Sequence, residues 1–577
     1  MTNYTGEKHA QIVIALLKAH GIRHVIASPG TTNMAFVASI QFDPAFKVYS
    51  SVDERSAAYM ACGLAAQLGE PVVLSCTGAT ASRNYLPGLT EAYYRKLPVL
   101  AVTSWQGRAK VGHLIPQVID RSTPPRDTVK ISVELPVVKD DDDVWECEIK
   151  VNRAILELTR HGGGPAHINL TTTYSRVFSE HQLPAYRVIN RVTVDDTPPT
   201  LSGRVGVFIG AHQPWTPEET ACLDQFCESN NAVVFCDHTS GYHGKYRILG
   251  ALLGTQEGID RSLYRPDILI HIGEVSGDYD TQTLFGKEVW RVNLDGEIRD
   301  TFRRLRYVFE MSEQRFFSMY SKSAVRCTRY FDTCKAALGE IQTKVPEVPF
   351  SNIWLASQFS KNIPQGSVIH FAILNSLRSW NFFDLPSGVQ SASNVGGFGI
   401  DGCMSTLIGA SLADPDRLFF LVTGDLAFFY DMNVLGNRHL GNNVRILLVN
   451  NGKGTEFKLK SHSASTLGDA ADTFIAAGGH FGNQSRDLVQ SYASSLGMEY
   501  IAISGKQESK TAFAKLLSVE KRERPILVEA FVDSAKDAEA LQIMKTSDKN
   551  WNTKARRIVK DILGPQKINA AKRILGR

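Results

Sequence analysis

Short apolar runs rich in β-branched residues recur along almost the whole chain, and a helical stretch follows most of them. In the first third these runs lie at residues 24–27, 47–50, 72–76, 99–103 and 166–169. Strands that alternate with helices form parallel sheets with helices on both faces. Because 577 residues exceed what one hydrophobic core organises, several domains are expected. The pattern therefore predicts an α/β protein built from three consecutive doubly wound parallel-sheet domains.

Two connecting stretches mark the expected domain boundaries. A segment rich in Pro and Asp covers residues 179–201, and a Pro-containing connection lies near residue 344. The middle block repeats the strand pattern at residues 205–210, 232–237, 267–273 and 289–294, and the last block repeats it at 368–371, 418–423, 444–450 and 525–531. We therefore expect domains at residues 1–185, 200–342 and 345–540, followed by a basic tail at 541–577.

Composition excludes several classes of protein. The net charge of +4 is mild and the basic residues are spread along most of the chain, which gives no support to nucleic-acid binding. No apolar run approaches the ~18 residues of a membrane-spanning helix, so no transmembrane segment is predicted. The nine cysteines are scattered without a CxxC pair, which is typical of reduced packing residues. The first eight residues are polar, unlike a signal peptide. We expect a soluble cytoplasmic protein.

Basic residues concentrate only near the C-terminus. They are interleaved with Ile and Leu at near-helical spacing, at Lys554, Arg556, Arg557, Lys560, Lys567, Lys572 and Arg573. Two interpretations remain open. The tail forms a helix that packs weakly on its own domain, or it lies on an anionic membrane surface or a partner.

The most informative segment joins two strands of the last block. One strand ends at Gly424-Asp425, a crossover helix follows, and the next strand ends at Asn450-Asn451. Parallel strands open onto the same edge of a sheet, where ligands bind. Mg²⁺ prefers carboxylate and amide oxygens together with ligand phosphates. Glycine lets backbone N–H groups approach phosphate closely, and the segment contains Gly424, Gly452 and Gly454. The spacing therefore predicts a shared metal and diphosphate site.

This segment resembles the metal and diphosphate motif of thiamine-diphosphate (ThDP) enzymes. The resemblance covers the whole chain in domain order and implies ThDP and Mg²⁺ as cofactors. It makes the three domains pyrimidine-binding, central and diphosphate-binding. It assigns the metal to Asp425, Asn451 and Lys453, the last through its backbone carbonyl. It also places the cofactor against Leu426 and Thr455 and against the turn Asn375-Ser376-Leu377.

Residues 393–406, which contain Phe398 and Ile400, resemble the pyrimidine-cupping segment of the menaquinone-pathway synthase branch. Ile400 is implied to be the apolar wedge that holds the cofactor bent. In the first block, Glu54 follows a strand and opens a helix, where the family keeps a catalytic glutamate. This residue is implied to share a proton with ring nitrogen N1′, which activates the cofactor. Since such an acid keeps its proton near neutral pH, we expect Glu54 to be buried.

Two further residues fall where the family places substrate-facing loops. His113 and Gln117 are expected to hydrogen-bond the keto acid or the enamine formed from it, although both also fit ordinary polar loop positions. No His-His pair of the pyruvate decarboxylase kind is present, which favours carboligation over aldehyde release. Because the family builds its site across a subunit interface, the resemblance also implies a homodimer or homotetramer.

Enzymes of this branch bind the carboxylates of their substrates with two arginines, and the resemblance implies that this chain lacks both. The first loop reads Ser28-Pro-Gly-Thr31-Thr32-Asn33, and Val395 stands where the second arginine is expected. Thr and Val do not replace bidentate carboxylate recognition by guanidinium. Arg83, Arg108 and Arg378 remain unranked candidates for another acid.

The sequence thus predicts a ThDP- and Mg²⁺-dependent decarboxylase or carboligase that acts on a 2-keto acid. Three alternatives stay open. One is the menaquinone-pathway synthase, which uses 2-oxoglutarate and isochorismate, and another is acyl transfer to a keto-sugar or other specialised acceptor. The third is a catalytically silent ThDP-binding paralogue. The Gly-rich turns of the central block at residues 210–212 and 273–277 do not fit GxGxxG, so we expect that block to be structural.

Overall fold

The computed structural model describes residues 3–321, 327–459 and 462–548. It divides into two compact units. The first unit comprises Met1–Pro198 with Asn293–Met311, and the second comprises Pro199–Val292 with Ser312–Arg577. Of the tail expected at 541–577, residues 541–545 belong to the helix Ser534–Lys545, and residues 549–577, which carry its clustered basic side chains, lie outside the described residues. The expected domain boundaries stay predictions.

The helices and strands follow one another along the chain with short connections. Up to residue 198 they are α1 (Lys8–Ala19), β1 (His24–Ala27), α2 (Met34–Ile40), β2 (Lys47–Ser50), α3 (Glu54–Leu68), β3 (Val72–Cys76), α4 (Ala79–Asn84), α5 (Leu86–Tyr94), β4 (Val99–Trp105), β5 (Ile131–Leu135), α6 (Asp141–Glu157), β6 (Ala166–Thr171) and β7 (Asn190–Val192). The middle part contains β8 (Val205–Ile209), α7 (Pro217–Ser229), β9 (Ala232–Cys236), β10 (Arg247–Leu249), α8 (Ala251–Thr255), β11 (Ile268–Ile272), α9 (Tyr279–Gln282), β12 (Glu288–Asn293), β13 (Leu305–Glu310), α10 (Glu313–Tyr320) and α11 (Arg329–Lys344).

The last part contains α12 (Asn352–Phe359), β14 (Val368–Phe371), α13 (Asn375–Trp380), β15 (Gln390–Ser393), α14 (Cys403–Ser411), β16 (Phe419–Gly424), α15 (Asp425–Asp431), β17 (Val444–Asn450), α16 (Arg486–Ser495), β18 (Glu499–Ile503), α17 (Lys506–Leu516), β19 (Ile526–Phe531) and α18 (Ser534–Lys545). Short 3₁₀ helices cover Arg108–Lys110, Arg160–Gly162, Arg261–Leu263, Ser360–Asn362, Met432–Gly436, Thr455–Lys458 and Ser463–Ala471.

The sheet of the first unit is parallel throughout, with the strand order β2-β1-β3-β4-β6-β5. Its central strands β1, β3 and β4 are buried along their whole length, which explains their continuous apolar sequences. Apolar residues of α1 and α6 form a core with one face of this sheet, and those of α3 and α5 form a second core with the other. The result is a doubly wound sheet, as predicted.

The second unit contains two further parallel sheets. One has the order β10-β9-β8-β11-β12, and the other has the order β15-β14-β16-β17-β19-β18. Strands β13 and β7 pair in parallel within the first unit. The three parallel sheets with interleaved helices confirm the predicted fold class.

Side-chain caps fix where several of these helices begin. Asp140 accepts from the backbone N–H groups of Asp142 and Asp143, both at 3.0 Å, so the acidic run starts α6. The Thr216 hydroxyl and the Glu219 carboxylate form a reciprocal capping box at α7, with Pro217 as its first residue. These local signals set helix starts without tertiary contacts.

The structure adds strands that the apolar pattern did not predict. They are β5, β7, β10, β13, β15 and β18. Several are edge strands, and β15 has the polar sequence Gln-Ser-Ala-Ser. None of the helices in the described ranges combines the length and apolar character that a membrane crossing requires.

Candidate active site

Asp425 and Asn451 lie at the ends of neighbouring strands of the last sheet. β16 and β17 pair in parallel, with Gly424 opposite Val449, so the residues that follow both strands reach the same edge. Asp425 begins α15, and its Oδ1 accepts from the Leu426 N–H at 2.9 Å. Its Oδ2 accepts from the Gly452 N–H at 2.7 Å. The carboxylate thus joins the two strand ends directly.

A chain of hydrogen bonds holds the Asn451 amide in one orientation. Its Nδ2 donates to Asp537 Oδ2 at 3.1 Å, and Asp537 Oδ1 accepts from the Asn352 N–H at 2.7 Å. Asn352 in turn donates to the carbonyl of Asn375 at 3.0 Å. Because the amide nitrogen is committed to Asp537, the amide oxygen is directed away from that carboxylate. This arrangement prepares Asn451 to act as an oxygen ligand.

The chemistry of this edge fits a divalent cation and a phosphate group. Asp425 is buried, and burial raises its pKa to about 6 although hydrogen bonds from backbone N–H groups oppose the shift. No ion pair joins it to a cationic side chain within the described ranges, so a bound cation would supply the missing charge. The Thr455 hydroxyl is also buried and has no hydrogen-bond partner, which suits a phosphate oxygen.

Histidine and cysteine take no part in this site. The described part of the chain has no group of three His, Cys, Asp or Glu side chains that suits a metal. A metal held by Asp425 and Asn451 would have carboxylate and amide oxygens as ligands, the kind of ligand that Mg²⁺ prefers. Gly452 has φ of +76°, and a Cβ there would lie 3.1 Å from Gln484 Cγ, so the turn favours glycine.

Aromatic and charged side chains surround the predicted diphosphate turn. Ser376 and Leu377 are buried in α13, while Arg378 forms an ion pair with Glu456. The Arg378 guanidinium lies 4.6 Å from the centroid of the Tyr279 ring, which stacks on Phe398 at 5.9 Å. The structure thus brings the turn that carries Asn375 and the segment that carries Phe398 into one neighbourhood.

Ile400 is half-buried and packs against the core of the last sheet. It follows Phe398 in the loop that leads into α14. Core contacts on one side and partial exposure on the other suit a residue that supports a ligand.

Glu54 opens α3 in the first unit, immediately after the N-cap residue Asp53. The Asp53 side chain accepts from the Ser56 N–H at 3.0 Å, so a neighbouring carboxylate already caps this helix. Glu54 is half-buried in the chain by itself, less than its predicted role requires. Nearby exposed apolar residues include Val52, Tyr59 and Met60.

His113 and Gln117 lie on an exposed loop of the same unit, between β4 and β5. Gln117 has φ of +64°, and Leu114 beside His113 is 99% exposed. A Cβ added at Gly78 would lie 3.5 Å from the Gln117 carbonyl oxygen, so the loop passes close to the turn after β3. The loop has the exposure that a substrate-facing segment needs.

Comparison with known proteins agrees with this geometry. Residues 7–123 match the family described as thiamine pyrophosphate enzyme, N-terminal TPP binding domain. A protein of Phocaeicola vulgatus named 2-succinyl-5-enolpyruvyl-6-hydroxy-3-cyclohexene-1-carboxylate synthase is 30% identical over 95% of this chain and 100% of its own. The chain belongs to the thiamine-diphosphate-dependent enzymes, in the branch of these synthases.

Further relatives carry the same name. The synthase of Bacteroides fragilis is 29% identical over 93% of this chain and 98% of its own length. The synthase of Flavobacterium johnsoniae is 27% identical over 78% and 84% respectively. The resemblance therefore extends over all three sheets, and the assignment of the ThDP family and branch is confirmed.

Neutral side chains stand at the two positions where arginines are expected from the sequence resemblance. Thr31 is exposed, and the Thr32 hydroxyl is buried without a hydrogen-bond partner. Val395 is buried, and a Cβ added at Gly277 would lie 3.1 Å from its Cγ1, so it packs inside the second unit. Neither position offers a cation to a substrate carboxylate.

Several residues of the site were not predicted from the sequence. Asp537 positions Asn451 from α18, and Glu456 holds Arg378. Gln484 Nε2 donates to the carbonyls of Asn450 and Val532 at 2.8 and 3.0 Å, which supports the end of β17. Asp472 pairs with the Lys453 ammonium at 2.7 Å. Glu456 lies within the motif segment but was given no role there, and the other three residues lie outside it.

Proposed function

We propose that this chain is a ThDP- and Mg²⁺-dependent carboligase that decarboxylates a 2-keto acid and transfers the remaining unit to an acceptor. The main support is the buried Asp425 carboxylate, which bridges two neighbouring strand ends beside Asn451 and has no cationic partner in the described ranges. Asp425, Asn451 and the Lys453 carbonyl would hold the metal. Gly424, Gly452, Gly454, Thr455 and Leu426 would line the diphosphate site.

When bound, ThDP supplies a thiazolium carbon that accepts the electrons released as CO₂ leaves. The side chains of the protein would position the cofactor and the keto acid and would hold the proton that the reaction needs. Glu54 would hold a proton at N1′, and Ile400 would support the bent conformation of the cofactor. His113 and Gln117 would donate hydrogen bonds to the keto acid. Exclusion of water from such a site strengthens each of these electrostatic contacts.

Among the reactions that the sequence left open, the comparisons favour that of the menaquinone-pathway synthase over simple decarboxylation, because the relatives are named for it. We propose 2-oxoglutarate as the first donor to test and isochorismate as the first acceptor. The loops expected to face the substrate contain no His-His pair of the pyruvate decarboxylase kind, which is consistent with carboligation.

A second candidate is carboligation with a different acid or acceptor, including a keto-sugar. It is favoured by Thr31, Thr32 and Val395, which do not replace the two arginines. Of the arginines left unranked by the sequence, Arg378 is committed to Glu456, and Arg108 pairs with Glu134 at 2.8 Å. Arg83 is exposed, and its one side-chain hydrogen bond within the described residues is to the Asp120 carbonyl at 2.9 Å. Arg83 is therefore the most available of the three for a new substrate.

The decisive experiment mixes purified protein, ThDP and Mg²⁺ with 2-oxoglutarate and other keto acids, with and without isochorismate. Release of CO₂ and formation of a coupled product are followed together. Product from 2-oxoglutarate and isochorismate supports the synthase, and product with another pair supports the second candidate. A chain that binds ThDP but releases no CO₂ with any donor would be the silent paralogue.

Glu54→Gln tests the catalytic assignment. We expect the variant to bind ThDP and to lose at least about 100-fold in turnover, because the amide cannot share a proton as the acid does. Asp53→Asn is the matched control, since Asn retains the helix cap and the variant should keep its activity. Unchanged turnover in Glu54→Gln would overturn the assignment.

We also propose that the active form is a homodimer or a pair of dimers in the cytoplasm. The apolar residues beside Glu54 would be covered by a partner, which would bury the carboxyl group further. A reducing compartment suits the nine cysteines, all of which are free and most of which are buried.

A further inference from the structure

Arg121 is a buried cation in the first unit that the proposed reaction does not use. Its side chain is 6% exposed. One terminal nitrogen donates to Thr103 Oγ1 at 2.7 Å and the other donates to the Ser104 carbonyl at 2.7 Å. Its Nε has no hydrogen-bond partner. The guanidinium is thus anchored by neutral groups and keeps one donor free.

No carboxylate balances this charge. Arg121 forms no ion pair within the described ranges, and the charged side chain that acts on it is another cation, Arg83. Burial, and to a smaller extent the nearby Arg83, lowers its pKa to about 10 in spite of the opposing influence of Cys76. An ion taken out of water without a counter-charge is strongly destabilising. A bound anion beside the buried Arg121 would therefore stabilise the folded state.

The nearest acidic side chains of the same loop are engaged elsewhere. Asp120 Oδ1 accepts from the Ser122 N–H at 3.0 Å and from the Ser122 hydroxyl at 2.6 Å. Asp127 accepts from the Tyr94 hydroxyl at 3.2 Å. Both carboxylates thus accept from neutral donors, and the charge of Asp120 also interacts with Arg108 and Arg83.

A cavity of about 30 Å³ lies against Arg121. Thr103 and His167 form its floor, and the exposed residues Arg83, Thr123 and Pro125 form part of its rim. Burial lowers the pKa of His167 to about 3, so this imidazole is neutral at physiological pH. Since its Nε2 lies 2.8 Å from Thr103 Oγ1, the hydroxyl that accepts from Arg121 is also held in place. The cavity therefore has a positive lining and room for one small species.

We propose that this cavity is a binding site for a small monovalent anion of about the size of chloride or bicarbonate, held between Arg121 and Arg83. Arg121 supplies one positive charge as a residue that lines the cavity, and Arg83 supplies a second positive charge at the rim. The apolar walls, which include Leu86 and Leu89, limit the size of the ligand. The site does not include the residues assigned to ThDP or to the metal.

Two measurements test the site. Crystals soaked in sodium bromide should show an anomalous peak in the cavity beside the Arg121 guanidinium. In solution, the melting temperature should be higher in sodium chloride than in sodium gluconate at equal ionic strength. At ten times the dissociation constant, a rise on the order of 1–2 °C is expected for a chain of this size.

Variants of two loop arginines separate the site from general salt effects. Arg121→Met should abolish the difference between chloride and gluconate, whereas Arg126→Met, an exposed arginine of the same loop that does not line the cavity, should retain it. If Arg121→Met does not fold, Arg83→Met should weaken bromide occupancy while leaving the floor intact. Equal melting temperatures in the two salts, or a cavity without bromide, would overturn the proposal, as would a chloride effect that persists in Arg121→Met.

Discussion

At the scale of single residues, the candidate metal site depends on a carboxylate that does not belong to its motif. Asp537 accepts from the Asn451 amide and from the Asn352 backbone, and burial raises its pKa to about 6. Such a residue orients a ligand and does not itself bind the metal. Loss of an orienting partner commonly costs 10–100-fold in metal affinity.

We therefore expect Asp537→Ala to weaken Mg²⁺-dependent binding of ThDP by roughly 10–100-fold, because the Asn451 amide then rotates freely. A Mg²⁺ titration of ThDP binding, followed by calorimetry or by quenching of tryptophan fluorescence, measures the change. Asp533→Asn is the control on the same helix: Asp533 caps α18 through contacts to Ala535 and Lys536, which Asn reproduces. Equal Mg²⁺ affinity in Asp537→Ala and in the wild-type protein would contradict the positioning role.

At the scale of elements, Glu7 ties the start of α1 to the chain that leaves β6. Its Oε1 accepts from the N–H groups of Thr173 and Ser175, both at 3.0 Å, and from the Thr173 hydroxyl at 2.8 Å. Its Oε2 lies 3.2 Å from His9 Nε2. Burial by itself would raise the pKa of Glu7, but the His9 contact and these hydrogen bonds lower it to about 2.

This shift predicts how stability depends on pH. Since the folded-state pKa lies below the ordinary value of 4.5, ionised Glu7 stabilises the fold above pH 4.5, and the contribution is lost as pH falls towards 2. We expect Glu7→Gln to be about 1–3 kcal/mol less stable than wild type at pH 7. The neutral amide makes weaker hydrogen bonds to the same donors than the charged carboxylate does. Denaturant unfolding across this pH range measures both effects. A difference that stays constant between pH 5 and pH 2 would show that ionisation is not responsible.

At the scale of the whole molecule, the exposed face of α3 is where we expect the proposed contact between copies of the chain. Tyr59 and Met60 are 49% and 46% exposed, and Gly63 follows on the same face. A glycine inside a helix costs about 1 kcal/mol relative to alanine. Here a Cβ would meet nothing within the chain, so packing inside the monomer does not require the glycine. Close approach of a partner helix would explain it.

We expect Gly63→Leu to prevent this approach, so that the variant sediments as a monomer and loses activity. Analytical ultracentrifugation together with the CO₂ assay measures both. Gly339→Leu is the matched control, because Gly339 also lies inside a helix with nothing within 4 Å of its Cβ position. If Gly63→Leu assembled and turned over as the wild-type protein does, this face would not be the interface.

Most of the fold could be predicted because central strands of parallel sheets are buried on both sides. β3, β4, β16 and β17 are consequently continuous apolar runs that can be recognised without any partner. Edge strands lack this constraint: β15 is polar and half-exposed, and it was missed. The same strand order placed Asp425 and Asn451 together, because a crossover between adjacent parallel strands returns the chain to the same sheet edge.

By itself the sequence determined the fold class and placed Asp425 and Asn451 at the ends of two neighbouring strands, because both follow from local pattern and spacing. The ThDP family came from the resemblance of those motifs to known enzymes. Only the tertiary structure decided which residues from distant parts of the chain contact these site residues. Asp537 reaches Asn451 across 86 positions of the chain, and Thr103 and His167 meet beneath Arg121 from different strands. Hydrogen bonds between such positions depend on how helices and strands pack. No periodicity along the chain records that packing, so neither the orienting carboxylate nor the buried, unbalanced arginine was visible before the fold was known.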